Sequence, residues 1–205
     1  MNHPLFTDLR RQVDEAITFD DQPGACRLIA EGLRLAGQQD CPGEILYFRA
    51  QAEIIAGRFE AAIGLLEEAL LSNPTDGAAY NDIALCRVEM GRLEGVLEIF
   101  DQGIAVEPDY ATIHHNKGWF LNKIGRLSEA LPCLRRAIAL EPLRAVTWEN
   151  IADIYQAQGL LGEAVQAYRM AVLCLGGCGA GIKEQLKAEM EKLEKMLTII
   201  KKEAV

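Results

Sequence analysis

The sequence has no apolar run of the length that crosses a bilayer, about 20 residues, so membrane insertion is not expected. Its first residues, MNHPLFTDLRRQVDEA, lack a basic start followed by an apolar core, so they do not read as a secretory signal. A cytoplasmic protein is expected. Positive charge is also short: 21 Lys and Arg against 30 Asp and Glu leave a formal net charge of -9. Nucleic-acid affinity rests largely on Lys and Arg releasing counterions, so no nucleic-acid partner is expected. Histidine is scarce, with only His3, His114 and His115. There is no nucleophile elbow, no glycine-rich phosphate loop after a strand and no H-E-x-x-H. No catalytic residue, cofactor or metal ligand is therefore assigned, and the chain is not expected to be an enzyme.

The six cysteines, Cys26, Cys41, Cys86, Cys133, Cys174 and Cys178, are scattered, and in a chain of this size they read as reduced, small apolar residues. Cys174 and Cys178 flank Leu-Gly-Gly, but two thiols with no histidine nearby make a poor zinc site. The run Gly176-Gly177-Cys178-Gly179-Ala180-Gly181 precedes a helical stretch and could present amides to an anion. Without a preceding strand it reads as a flexible link.

What the chain does have is a period. The stretch from Ala111 to Pro142 lands on Gly77 to Pro108 and on Gly43 to Pro74 when shifted back by 34 residues once and twice, and on Ala145 to Gly176 when shifted forward. Small residues keep register at Ala50, Ala84, Gly118 and Ala152, and again at Ala69, Gly103, Ala137 and Ala171. Gly57, Gly91, Gly125 and Gly159 form a turn column, followed by Ala62, Val96, Ala130 and Ala164. Self-similarity at this spacing predicts an array of two-helix units, with the glycine dividing helices of about 12 to 14 residues. Glycine suits the turn because a helix C-terminus commonly needs a left-handed residue. The small columns allow helix backbones to approach within about 8 to 10 Å where they cross. Pro74, Pro108 and Pro142 end the second helix of their repeats, and Pro132 is an oddity inside a helix. The expected repeats are residues 43–76, 77–110, 111–144 and 145–178 in one solenoid domain spanning 1–205.

Both ends depart from the period. Residues 5–40 read as a degenerate N-terminal helix pair: a first helix carrying Leu5, Leu9, Val13 and Ala16, with Phe6 and Ile17 widening its apolar face, a turn at Asp21-Gln22-Pro23-Gly24, and a second helix from Ala25 to Ala36 without the small columns. Residues 181–203 read as a C-terminal helix with Leu186, Met190, Leu193, Leu197 and Ile200 in 4-3-4-3 spacing. That stripe suits a cap over the last repeat or a short coiled-coil seam, widened by Met196 and Ile199, that would make a homodimer.

These columns resemble the tetratricopeptide repeat over residues 43–176, and weakly over 5–40. The family's aromatic early in the first helix is met by Tyr80 and Trp148, while Leu46 and His114 depart from it. The resemblance implies an all-α, right-handed solenoid of helix hairpins whose first helices line a concave groove that holds a peptide or partner protein. The implied groove positions are Glu44, Tyr47, Phe48, Gln51, Ile54 and Ile55, then Ala78, Asn81, Asp82, Leu85, Val88 and Glu89. They continue as Thr112, His115, Asn116, Trp119, Asn122 and Lys123, then Val146, Glu149, Asn150, Asp153, Gln156 and Ala157. Asn116 and Asn150 fall in a column that family members use to read a peptide backbone, and an amide both donates and accepts. Trp119 and the group Tyr47, Phe48, Ile54 and Ile55 are surplus to the packing columns, so they read as exposed anchors, or as residues covered by a terminal segment lying across the groove. The paired-lysine clamp for chaperone carboxyl termini is not matched, because Asn81, Thr112, Val146 and Asn150 stand at its cation places. With Asp82, Glu89, Glu149 and Asp153 on the groove and Lys123 nearly its only cation, a partner with apolar anchors and a basic residue is expected. The function read from the sequence is a non-catalytic interaction module. Its alternatives are a chaperone for exported or aggregation-prone proteins and a self-associating scaffold.

Overall fold

The computed structural model describes residues 4–19, 21–176 and 180–203. His3, Asp20 and Gly177 to Gly179, including Cys178, lie outside the described residues. Among those described there are α-helices and no strand. The chain divides into two compact units, residues 1–113 and 114–205.

In the first unit α1 (Pro4–Thr18), α2 (Gln22–Gln38), α3 (Pro42–Ile55), α4 (Phe59–Ser72), α5 (Gly77–Glu89) and α6 (Val96–Val106) each pack on the next. In the second, α7 (Ala111–Lys123) meets α8 (Leu127–Leu140), followed by α9 (Ala145–Ala157), α10 (Leu161–Cys174) and α11 (Ala180–Glu203), and α11 lies against α10. The turn column behaves as its composition requires: Gly57, Gly91, Gly125 and Gly159 have φ of 71°, 71°, 78° and 75°, a region closed to most side chains. The small columns mark close crossings. A Cβ on Gly118 would stand 2.7 Å from Leu134 Cγ and 3.1 Å from the Ala130 carbonyl oxygen, so α7 and α8 can meet there only without one.

The N-terminal pair differs from its sequence reading in two places. The expected turn at 21–24 is already the start of α2, with Asp21 accepting from the Gly24 amide at 2.9 Å and a proline in the first turn, where its missing N–H costs nothing. The buried stripe of α1 is Phe6, Leu9, Arg10 and Val13, while Leu5 and Ile17 are exposed. α2 lacks the small columns, with Leu28 and Leu35 at their places, but carries a glycine elsewhere. A Cβ on Gly32 would meet the Phe48 ring at 2.6 Å, so glycine is what lets that ring lie on α2.

Two helices depart from the regular unit. α6 loses its first turn because Gly95 sits at φ 74°, which restarts the helix at Val96. α8 runs through Pro132, whose ring removes one backbone donor from the helix interior. Because Pro132 is exposed inside the helix, Pro132→Ala is expected to raise stability by about 1–3 kcal/mol, read as a higher urea midpoint. An unchanged midpoint would mean that α8 has already relaxed around the ring.

At the C-terminal end Leu186 and Leu193 are buried, which seats α11 as a cap on α10. Met196, Ile199 and Ile200, further along the same helix, remain exposed.

Candidate functional site

In the first unit the expected groove residues are gathered, but under cover. Tyr47 is 2% exposed and Phe48 0%. Their rings meet edge to face with centroids 5.7 Å apart, and the Phe6 ring of α1 lies 6.2 Å from that of Phe48. Of the two readings of these residues, exposed anchors or cover by a terminal segment, Tyr47 and Phe48 meet the second: Arg10 of α1 lies on Tyr47, Phe6 of α1 and Gly32 of α2 lie on Phe48, and Ile54 and Ile55 are half-buried. The physical reason is Arg10. Its Nη1 donates to both carboxylate oxygens of Asp76 at 2.9 Å, its Nε donates to Glu44 at 3.1 Å, and its guanidinium stands 3.6 Å from the centre of the Tyr47 ring. Burial works against the Arg10 charge, yet Tyr47, Asp76 and Glu44 together hold its pKa above the ordinary value.

Beside this node Asp82 is buried with Gln51 and Asn81. Gln51 Nε2 donates to one carboxylate oxygen at 2.5 Å and Asn81 Nδ2 to the other at 2.9 Å. Burial raises the Asp82 pKa to about 6, against the pull of the hydrogen bonds from Asn81, Gln51 and Tyr47. These three polar residues satisfy one another and offer little to a ligand. Leu85, next along α5, is half-exposed. Cys86 nearby has its thiol pushed up to about 12, by burial first, so it is a poor nucleophile.

In the second unit the expected residues are more open. Trp119, Asn116 and Asn122 are half-exposed and Lys123 exposed on α7, with Lys123 Nζ 4.9 Å from the centre of the Trp119 ring. His115 is not on an open face: it is 5% exposed, and its Nδ1 shares a 3.0 Å hydrogen bond with Thr147 Oγ1 of α9. Burial, then the nearby Arg144 charge, lower the His115 pKa to about 3, so it is neutral. On α9 Asn150 is buried and its amide donates to the Val146 carbonyl of its own helix at 3.0 Å, which occupies a donor that a peptide ladder would need. Glu149 is half-exposed and Asp153 exposed. Burial and then the Asp153 charge raise the Glu149 pKa. Tyr168 of α10 donates to Asp153 at 2.5 Å and reaches Gln156 at 3.0 Å. Glu149, Asp153, Gln156 and Tyr168 line a cleft closed by Gln185, Glu189 and Lys192 of α11.

The sequence passed over Arg10, Asp76 and Tyr168. Arg10 stands one 34-residue step before Glu44, so the period itself marked its column, and Asp76 before the α5 run is an N-cap signal. Among the described residues no group of three or more His, Cys, Asp or Glu side chains is placed to hold a metal, and no helix is long and apolar enough to cross a membrane.

Two family models, both described as tetratricopeptide repeat, match adjoining stretches, residues 53–116 and 116–180. The chain belongs to the tetratricopeptide repeat family. Its members mediate protein–protein interaction, and the fold is generally a non-catalytic module. No curated protein sequence matches the chain significantly. Among solved structures, TTC0263, a thermophilic tetratricopeptide protein of Thermus thermophilus, is 20% identical with a TM-score of 0.67, covering 91% of this chain and 97% of that one. YrrB, a tetratricopeptide protein with an unusual peptide-binding site, is 14% identical with a TM-score of 0.58, covering 88% of each. The first such domain of Spaghetti (RPAP3), bound to the HSP90 peptide SRMEEVD, is 16% identical with a TM-score of 0.54, covering 58% of this chain and 94% of that one. At these identities the likeness is one of fold.

Proposed function

We propose that this tetratricopeptide protein is a non-catalytic module that holds a peptide or partner protein on the first-helix faces of α7 and α9. The observation that carries the reading is Trp119: a large aromatic only half-buried beside the half-buried Asn116 and Asn122, with Lys123 over its ring, on a helix whose packing is already supplied by Gly118, Phe120 and Leu121. A ring presented in this way is the kind of anchor that dominates interfaces. The partner is expected to bring apolar anchors and a basic residue, because the acidic side chains Glu149 and Asp153 stand in the same unit, Asp153 exposed and Glu149 half-buried. Supporting the reading, two proteins of the same fold are described by their peptide-binding site or bound peptide. The peptide SRMEEVD carried by one of them is acidic, and the acidic residues here favour the opposite sign.

The test is affinity capture from a lysate of the source cell with the wild-type chain and an Asn116→Ala, Trp119→Ala double variant of unchanged helicity. A protein retained by the wild type and lost by the variant is the expected result. Equal capture by both would remove this face from the function.

A further inference from the structure

We propose that Glu44, Tyr47 and Asp76 form a guanidinium-binding site that α1 fills in cis with Arg10, and that an arginine on a partner's amphipathic helix takes in exchange. The inference rests on the protein-binding reading and adds a second site, in residues 1–113, with its ligand chemistry.

Its first support is shape. The guanidinium is met on its edges by two carboxylates, at 2.9 Å for both Asp76 oxygens and at 3.0 and 3.1 Å for Glu44, and on its face by the Tyr47 ring at 3.6 Å. A planar fork of donors satisfies all three walls at once; an ammonium, a point charge without a π face, cannot. Secondly, the walls belong to α3 and to the residue that starts α5, not to α1. Asp76 is held in place by the Ala79 amide at 3.2 Å as the α5 N-cap, so the pocket keeps its form when the arginine leaves. It does not remain empty, because two adjacent carboxylates, Asp76 buried and Glu44 half-buried, are strongly disfavoured without a counter-charge. The site therefore exchanges one arginine for another.

The occupant defines the competitor. What α1 inserts is one stripe: Phe6 four residues before the arginine, Leu9 one before and Val13 three after, all buried, while Leu5, Thr7, Asp8 and Arg11 face outward. A partner helix presenting an aromatic, an aliphatic, an arginine and an aliphatic at the same spacing re-forms every contact that α1 gives up. α1 has 15 residues, a length at which a helix detached from its neighbours is marginal in water, so the displaced segment does not hold together as a rival structure. The apparent affinity for a partner is the intrinsic one reduced by the small fraction of chains in which α1 has left.

The probe is a labelled peptide of residues 4–18, PLFTDLRRQVDEAIT, added to the full-length wild-type chain and to a Phe6→Ala, Arg10→Ala double variant whose helicity is checked by circular dichroism. The double variant, with α1 loosened, is expected to bind at least about tenfold tighter than the wild type, and a peptide carrying Arg10→Ala is expected to bind that variant about tenfold more weakly or worse. Arg10→Ala alone serves as receptor if the double variant loses helicity. The two peptides meet the same protein, so a folding defect cannot imitate their difference. Equal binding of both peptides, or no binding to a helical loosened chain, overturns the proposal. Should the peptide fail while capture still depends on Asn116 and Trp119, the exchange site falls and the interaction reading stands.

Discussion

Replacing Phe48 with alanine should destabilise the first unit by about 3–5 kcal/mol, the usual cost of deleting a fully buried aromatic ring. The ring is 0% exposed, pressed on the glycine backbone of α2 at Gly32 and flanked by Phe6 and Tyr47. The cavity left behind cannot close easily, because α1 is pinned by the bonds of Arg10 to Asp76 and Glu44. Urea denaturation measures the effect, as a fall in midpoint with little change in slope. The opposite result, intact stability with lost partner binding, would return Phe48 to the open groove face that its place in the repeat assigns.

Acidification should push the two units in opposite directions. His115 has an ordinary pKa of 6.5 and a folded value of about 3, so between those values the unfolded chain binds a proton that the folded chain refuses. Its contribution is intact above pH 6.5 and declines as the pH falls, by about 2 kcal/mol between pH 7 and pH 5. Asp82 is raised from 3.8 to about 6 in the folded chain, so its protonated form is the one that folding favours. That contribution is complete below the unfolded value and is lost as the pH rises through the folded one, so acidification from pH 7 to pH 5 adds about 1 kcal/mol. Unfolding of the wild type, His115→Asn and Asp82→Asn at both pH values separates the two. The His115 variant should lose less stability on acidification than the wild type, and the Asp82 variant more. A His115→Asn chain with the wild-type slope would mean that the imidazole is protonated in place.

The parts of the fold set by local chemistry were legible in the sequence. The turn glycines recur because each must hold a positive φ, and Gly118 recurs with the alanines because helices touch there. Trp119, surplus to the packing columns in the sequence, is left only half-buried on α7. What the sequence hid depends on partners far along the chain. Arg10 looks like a solvated charge until Glu44 and Asp76, 34 and 66 residues away, are brought to it, and only then is it decided which of the two readings of Tyr47 and Phe48 holds, cover by α1 rather than an open face. His115 looks like a groove residue until Thr147, 32 residues on, closes over it. Period and face assign a residue to a side of its helix, whereas the neighbouring helix decides whether that side meets solvent.

The most direct test of the proposed interaction is hydrogen exchange of the full chain with and without the captured partner. Added protection at the amides around Asn116, Trp119 and Asn122 of α7 and Glu149 to Asp153 of α9 is the predicted result. Protection confined instead to the second helices, around the exposed Leu173 of α10 or the outer turns of α8, would place the partner on the other side of the hairpins and contradict it.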